Sequence, residues 1–380
     1  VTRAVVIGGG VIGASCAYQL ARAGLAVTIV DRGAGPGAGS TGRATGGFRA
    51  QYATAINVRL SLLARAQLAR FRADTGVDPG FAPVGYLWLA TSEASLAELR
   101  AAHAVQRREG LHDAELVSVD DVPAINPHAA LAGVIGGAWC PSDGVLRPLE
   151  LLRGYLAAAA ARGVDARWGE PVVELARGER ITEVITARGR YPADVVVNAA
   201  GAWAGEVARL AGVALPVVPL RRQVAITAPT DALPETMAMT IWDDGFHLRV
   251  RDGRALLLRP TPGDPADPYS DRVDPAWLDE IAALAPRRIP ALQGVAIDRA
   301  ASWGGLYEMS PDHHAILGWA PGCANLLLVN GSSGHGVMHA PALGLLAAEL
   351  ASGAQPSLEV RALRPERFAE GDPVRGSALL

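Results

Sequence analysis

Three glycines, Gly8, Gly10 and Gly13, stand where a short apolar run gives way to an amphipathic one, and no other stretch of the 380-residue chain restricts the fold as tightly. Ahead of them, Ala4-Val5-Val6-Ile7 is a continuous apolar run, the pattern of a strand buried on both faces of a parallel sheet. Behind them, Val11, Ile12, Ala14, Ala17, Tyr18, Leu20 and Ala21 recur at helical spacing, and Gly24 supplies a C-terminal stop. Leu25 to Val30 then reads as a second buried strand ending at Asp31. The order predicts a βαβ unit.

In such a unit the first glycine allows the tight turn, the second lets a pyrophosphate approach the backbone, and the third lets helix and strand pack closely. The unpaired N–H groups and positive dipole end of the helix favour an anion there. Asp31 ends the second strand, where a carboxylate can accept ribose hydroxyls. This predicts a dinucleotide site, and the unit alone is equally compatible with NAD and FAD.

Half of the residues are hydrophobic, enough at this length for two intimately joined domains. A formal net charge of −3 offers no basic field for nucleic acid or an anionic membrane. All 35 Lys+Arg residues are arginine, so no step that requires a lysine amine can occur. Cys16, Cys140 and Cys323 form no CxxC pair, which suits buried thiols in a reducing compartment. The apolar N-terminal stretch lacks a basic segment and is interrupted by glycines, so no integral membrane segment and a cytoplasmic location are expected. No metal site is expected.

Farther on, Gly33 to Gly47 is rich in small residues and suited to wrapping a ligand. Residues 56–75, 92–108 and 149–162 carry helical periodicity. Residues 172–175 and 181–187 form a predicted hairpin leading to a buried strand at 193–198. From 217 to about 258 the pattern changes to alternating strands, and a helix is predicted near 275–285. A last buried strand, Asn325 to Asn330, runs into Gly331-Ser332-Ser333-Gly334-His335-Gly336, followed by a predicted helix from Ala342 to Leu350.

Four segments together, residues 5–13, 196–203, 305–312 and 331–336, resemble the D-amino-acid oxidase superfamily of flavoproteins, close to sarcosine oxidases, dimethylglycine dehydrogenases and proline dehydrogenase β subunits. The resemblance spans essentially the whole chain. It implies an α/β (α+β overall) fold, a Rossmann-like FAD-binding domain with an inserted antiparallel-sheet substrate domain. The expected FAD-binding segments are 1–80, 145–215 and 300–370, the substrate-binding segments are 81–144 and 216–299, and 371–380 is a tail.

FAD would then be held by Gly8, Gly10, Val11, Ile12 and Gly13 at the pyrophosphate and by Asp31 and Arg32 at the ribose. Ser40, Thr41, Arg43, Ala44, Thr45, Gly46 and Gly47 would meet the phosphate and flavin edge, and Val173 the adenine through its backbone. Ala199, Gly201, Trp203 and Gly305 fall on the shared motifs as further cofactor contacts. Gly331, Ser333, Gly334, His335 and Gly336 would face the flavin pyrimidine ring, where a helix N-terminus stabilises negative charge on the reduced ring.

By the same resemblance Arg49 would pair with a substrate carboxylate, for which a guanidinium fork is suited. His335 is the second candidate catalytic residue, and Tyr52, Phe246, His247 and Tyr307 are candidate pocket walls. Gly305 stands where monomeric sarcosine oxidases attach FAD through cysteine, so non-covalent FAD is expected. Met338 stands where those enzymes place a second carboxylate-binding lysine, and the lysine that favours O₂ there is absent too.

The expected function is oxidation of the C–N bond of a small amine or amino acid, a secondary amine or D-/N-methyl amino acid resembling glycine or proline. Hydride would pass to flavin N5, and electrons would leave to a quinone, a carrier or a partner subunit. An H₂O₂-producing oxidase using O₂, a non-catalytic FAD-holding subunit of a hetero-oligomer, and an NAD(P)-dependent dehydrogenase are the alternatives. A homo- or hetero-oligomer is compatible with each.

Overall fold

A six-stranded sheet organises one half of the molecule. The computed structural model describes residues 1–261 and 265–376, so the expected 371–380 tail lies partly outside the described residues. Strands Ile316–Trp319, Leu326–Asn330, Val195–Asn198, Arg3–Ile7, Ala26–Asp31 and Asp165–Trp168 lie side by side in that order. Neighbours are parallel except for the antiparallel Ile316–Trp319 edge.

The register explains why the strands are apolar on both faces. Leu327, Val197, Val6 and Ile29 form one row across the sheet, and all four enter the core shared with helices Val11–Arg22, Pro148–Ala160 and Gly336–Ser352. One residue along, Leu328, Ile7 and Val30 point the other way, into a core shared with the helix Ala204–Leu210 and the three-stranded sheet 172–192. Full burial of each such side chain contributes about 1.5–3 kcal/mol.

The second half is an eight-stranded sheet. Its order is Trp303–Met309, Val218–Ile226, Arg254–Leu258, His247–Arg251, Met239–Trp242, Tyr86–Ala90, Gly136–Cys140 and Glu115–Val117. All pairings are antiparallel except Met239–Trp242 with Tyr86–Ala90. Side chains alternate: Leu87, Leu89, Leu248, Val250 and Leu257 pack against the helix Pro275–Arg288, and Tyr86, Trp88, Met239 and Ile241 cover the opposite face.

Two features differ from the sequence expectation. Trp303–Met309 pairs along its whole length with Val218–Ile226, so this strand belongs with the large sheet although it lies beyond residue 299. The last helix starts at Gly336, ahead of Pro341, rather than at Ala342. A proline cannot donate to the carbonyl one turn back, which is why sequence reasoning places the start after it. Here the helix carries that lost bond, with Met338, His339 and Ala340 buried ahead of the proline. Among the described residues no helix is long and apolar enough to cross a membrane.

Candidate active site

A cavity of about 1100 Å³ runs between the two sheets. At one end lies the first glycine turn. A Cβ on Gly13 would sit 1.8 Å from the Gly8 carbonyl oxygen, so only glycine fits where helix and strand touch. Gly10 caps the helix without a side chain to offer, and Gly10, Val11 and Ile12 line the cavity. Asp31 accepts from the Gly9 and Gly33 N–H groups, each at 2.6 Å, which pins the turn to the end of the second strand. Arg32 lies 4.4 Å above the Trp203 ring, which stacks on Tyr269.

The loop from Ser40 to Gly47 forms the middle of the cavity, and side chains from distant strands hold it. Ser40 Oγ donates to the Leu306 carbonyl at 2.7 Å, and Thr41 Oγ1 accepts from Val11 N–H at 3.0 Å. Trp303 Nε1 donates to the Arg43 carbonyl at 2.8 Å, while Arg43 donates to the Gly304 carbonyl and pairs with Asp271. Arg249, buried beneath the loop, donates from Nη1 to the carbonyls of Thr45, Gly46 and Leu146 at 2.7–3.1 Å. Burial lowers its pKa to about 10.

At the far end is Arg49, only 8% exposed. Its guanidinium lies 4.3 Å from the Tyr52 ring centre and 4.9 Å from that of Trp88. Nη2 donates to His335 Nε2 at 3.2 Å, whereas Nη1 is buried without a partner. Among the described residues no carboxylate lies within ion-pair distance of it. Burial and the neighbouring Arg49 charge push His335 well below its ordinary pKa, so the imidazole is neutral, and its acceptance at Nε2 leaves the ring proton on Nδ1.

Three more groups shape this end. His247, with Nδ1 2.8 Å from the Gly245 carbonyl, is lowered to about 4 by burial, with Arg49 and Arg222 adding to the shift. Glu308 is raised to about 7 by burial; one oxygen accepts from Ser332 N–H at 3.2 Å and the other is unpartnered. The last helix opens here, with its N-cap His335 and residues Gly336 to Met338 lining the cavity. Gly334 has φ of +90°, and a Cβ on it would meet the Tyr307 ring at 2.5 Å.

Behind Arg49, Asp143 is fully buried and accepts from the N–H groups of Ala50 at 2.7 Å and Gln51 at 3.2 Å. Burial raises its carboxyl to about 7.

Most residues singled out in the sequence converge on this one space. Gly8, Gly10, Val11, Ile12, Asp31, Arg32, the 40–47 loop, Ala199, Gly201, Trp203, Gly305, Tyr307, Ser333 to Gly336, Arg49 and His247 all line it. Five do not. Gly13 is packed against Gly8, and Gly331 against Ser310 and Ile316. Val173 is 53% exposed, and its neighbour Val172 lines the cavity instead. Phe246 is core against Trp242, because adjacent residues in a strand face opposite ways and His247 takes the cavity side. Tyr52 lies beneath Arg49, its hydroxyl donating to Met338 Sδ at 2.9 Å. Sequence reasoning missed Trp88, Arg222, Arg249, Asp143 and Glu308. Period-two alternation along the strands would have flagged Trp88 and Arg249.

A glycine-capped helix aimed into a long cavity, a strand-ending acid beside it, and a second helix opening at the other end define a dinucleotide-cofactor protein with a second sheet laid over the reacting end. The chain belongs to the FAD-dependent oxidoreductase family, whose model, described as FAD dependent oxidoreductase, matches residues 3–350. It is 27% identical to a 4-methylaminobutanoate oxidase (formaldehyde-forming) of Paenarthrobacter nicotinovorans over 97% of this chain, yet spans only 46% of that protein. It is 27% identical to a glycine oxidase of Geobacillus kaustophilus, with 91% of each chain covered. The solved structure of an L-proline dehydrogenase from P. horikoshii superposes with a TM-score of 0.91 at 27% identity, over 98% of this chain and 99% of that one.

Proposed function

We propose that this FAD-dependent oxidoreductase oxidises the C–N bond of a small amino acid or secondary amine that carries a carboxylate. The observation that carries the reading is Arg49: a buried guanidinium, clamped between Tyr52 and Trp88, with Nη1 facing no partner. A buried charge left unpaired is costly, so the geometry suits an anionic ligand. FAD, when bound, supplies a ring that accepts a hydride.

The residues fit that group. The first helix N-terminus and Asp31 would hold its nucleotide half, the stapled 40–47 loop its middle, and the N-terminus of the last helix would stabilise negative charge on the ring. Gly305 lines the cavity, whereas Cys16, Cys140 and Cys323 are buried outside it, which supports non-covalent binding. Acid precipitation should leave the flavin in the supernatant.

Arg49 fixes the substrate carboxylate, and its bond to His335 fixes Arg49. With Arg49 and Arg222 at this end and both histidines neutral, an ammonium is disfavoured, so the substrate settles as the free amine. On the free amine the nitrogen lone pair would stabilise the iminium left when the C–H hydride passes to the bound ring, so no protein base is required, and water would hydrolyse the iminium. With no lysine in the chain, a quinone, carrier or partner subunit is the favoured acceptor over O₂.

The test is anaerobic mixing of the holoprotein with glycine, sarcosine, dimethylglycine, proline and D-amino acids, following flavin absorbance. Substrate-dependent bleaching is expected for at least one carboxylated amine. Bleaching by amines that lack a carboxylate, and by none that bear one, would refute the role of Arg49. Slow reoxidation of the reduced flavin by air is expected; a rapid reaction would favour the oxidase reading.

A further inference from the structure

Arg222 is the second guanidinium at the reacting end, and beyond its charge it has no binding role in the oxidation of a monocarboxylate. It stands on Val218–Ile226, paired in register with Gly305, so its side chain leaves the sheet on the cavity face beside Val224 and Tyr307. Its guanidinium lies 5.8 Å from the Tyr307 ring centre. Its hydrogen bond goes to its neighbour's carbonyl, from Nη1 to Arg221 O at 3.3 Å. Among the described residues no carboxylate is within ion-pair distance. Both Arg49 and Arg222 line the cavity and act electrostatically on His247 and on Tyr307, so the two cations face the same compartment.

Among the described acids that line the cavity, all but Glu308 are engaged elsewhere. Asp31 holds the first glycine turn, Glu170 accepts from Thr186 and Tyr191, and Glu206 from Tyr269. Asp243 is held by Thr91 and Asp244 by Arg288, while Glu308, raised to about 7 by burial, accepts from the Ser332 N–H group at one oxygen and leaves the other without a partner. Among the described residues, two guanidiniums thus face one compartment without a carboxylate at ion-pair distance from either.

We propose that the substrate is a dianion, an amino or imino acid bearing a second carboxylate, held at one end by Arg49 and at the other by Arg222. The inference rests on the amine-oxidation reading for what happens to the ligand, but not for its charge. Arg222 is a specificity-determining residue here: it discriminates among substrates that Arg49 alone would accept. A second carboxylate meets a planar fork of donors, whereas a neutral side chain leaves that guanidinium without a partner.

Two measurements test it separately from the oxidation chemistry. The oxidised holoprotein is titrated with redox-inert acetate, malonate and succinate, following the flavin spectrum. At least one dicarboxylate should bind about tenfold or more tighter than acetate; R222Q should shrink that ratio below about threefold, and R222K should retain part of it. The KM values for iminodiacetate against sarcosine, and for aspartate against alanine in both enantiomers, should show the same preference and the same loss in R222Q.

Equal binding of acetate and the dicarboxylates, or a preference that survives R222Q, overturns the proposal. A shift of the flavin potential in R222Q with the preference intact would also overturn it, assigning Arg222 to the cofactor. Tight dicarboxylate binding with no bleaching by any amine would instead refute oxidation and leave the dianion site standing.

Discussion

Replacing Asp143 by asparagine isolates one buried carboxyl that controls how stability varies with pH. Asp143 is fully buried, and its carboxyl titrates at about 7 rather than at its ordinary value of 3.8 because burial disfavours the charged form. A raised folded-state pKa means that the native protein holds a proton the unfolded chain has released. Its contribution is therefore fully present below the unfolded pKa and lost as pH climbs through 7. Between pH 5 and pH 8 the loss is roughly 2.5 kcal/mol from this group alone.

In D143N the proton cannot leave, so that share of the pH dependence should vanish. The amide oxygen keeps the shorter bond from Ala50, and the amide N–H₂ faces the Gln51 N–H group, a mismatch of about 1–2 kcal/mol that does not vary with pH. Urea unfolding of the FAD-loaded protein at half-unit steps from pH 5 to pH 8 reads both. The unfolding free energy of D143N minus that of wild type should rise by roughly 2.5 kcal/mol across that range, enough to outweigh the mismatch and leave the variant the more stable protein at pH 8. Parallel profiles would refute the assignment. Glu308, raised to about 7 by the same cause, remains as a background slope in both proteins.

Three further outcomes follow from the geometry. G13A drives a Cβ into the Gly8 carbonyl oxygen at 1.8 Å; strain of about 2 kcal/mol or more falls on the pyrophosphate turn, and FAD affinity read by equilibrium dialysis should drop about thirtyfold or more. R249M removes the charged donor shared by Thr45, Gly46 and Leu146; a loss of about 2 kcal/mol should weaken FAD binding roughly thirtyfold and raise flavin fluorescence through partial release. His247, lowered to about 4, and His335, lowered by burial and Arg49, stay neutral through the working range. Glu308, raised to about 7, titrates alike for every substrate, so the part of the rising limb of kcat/KM that differs between substrates should follow the substrate ammonium, moving by about one unit for an ammonium pKa about one unit lower. A limb that stays put for both substrates would assign it to the protein.

What could be read from the sequence is what depends on neighbours along the chain. Gly8, Gly10 and Gly13 shape one turn within six positions, and the buried strand and helix around them follow from periodicities of two and 3.6 residues. The same local logic marks Asp31, the 40–47 loop and the second glycine turn, all of which line the cavity. Arg49 and His335 could be named one by one, from resemblance.

Sheet register and burial decided the rest, because they are set by contacts between distant segments. That Arg49 donates to His335, 286 residues away, and that Arg249 staples the Thr45 and Gly46 carbonyls follow from how strands pair, which no local pattern encodes. One step along a strand put His247 in the cavity and Phe246 in the core, and likewise separated Val172 from Val173. Arg222 is one of 35 arginines in the sequence. Only the pairing with Gly305 singles it out, as a cation on the cavity face without an ion-pair partner among the described residues. Charge in a sequence is a count, and becomes a binding preference once the fold determines which charges face the same space.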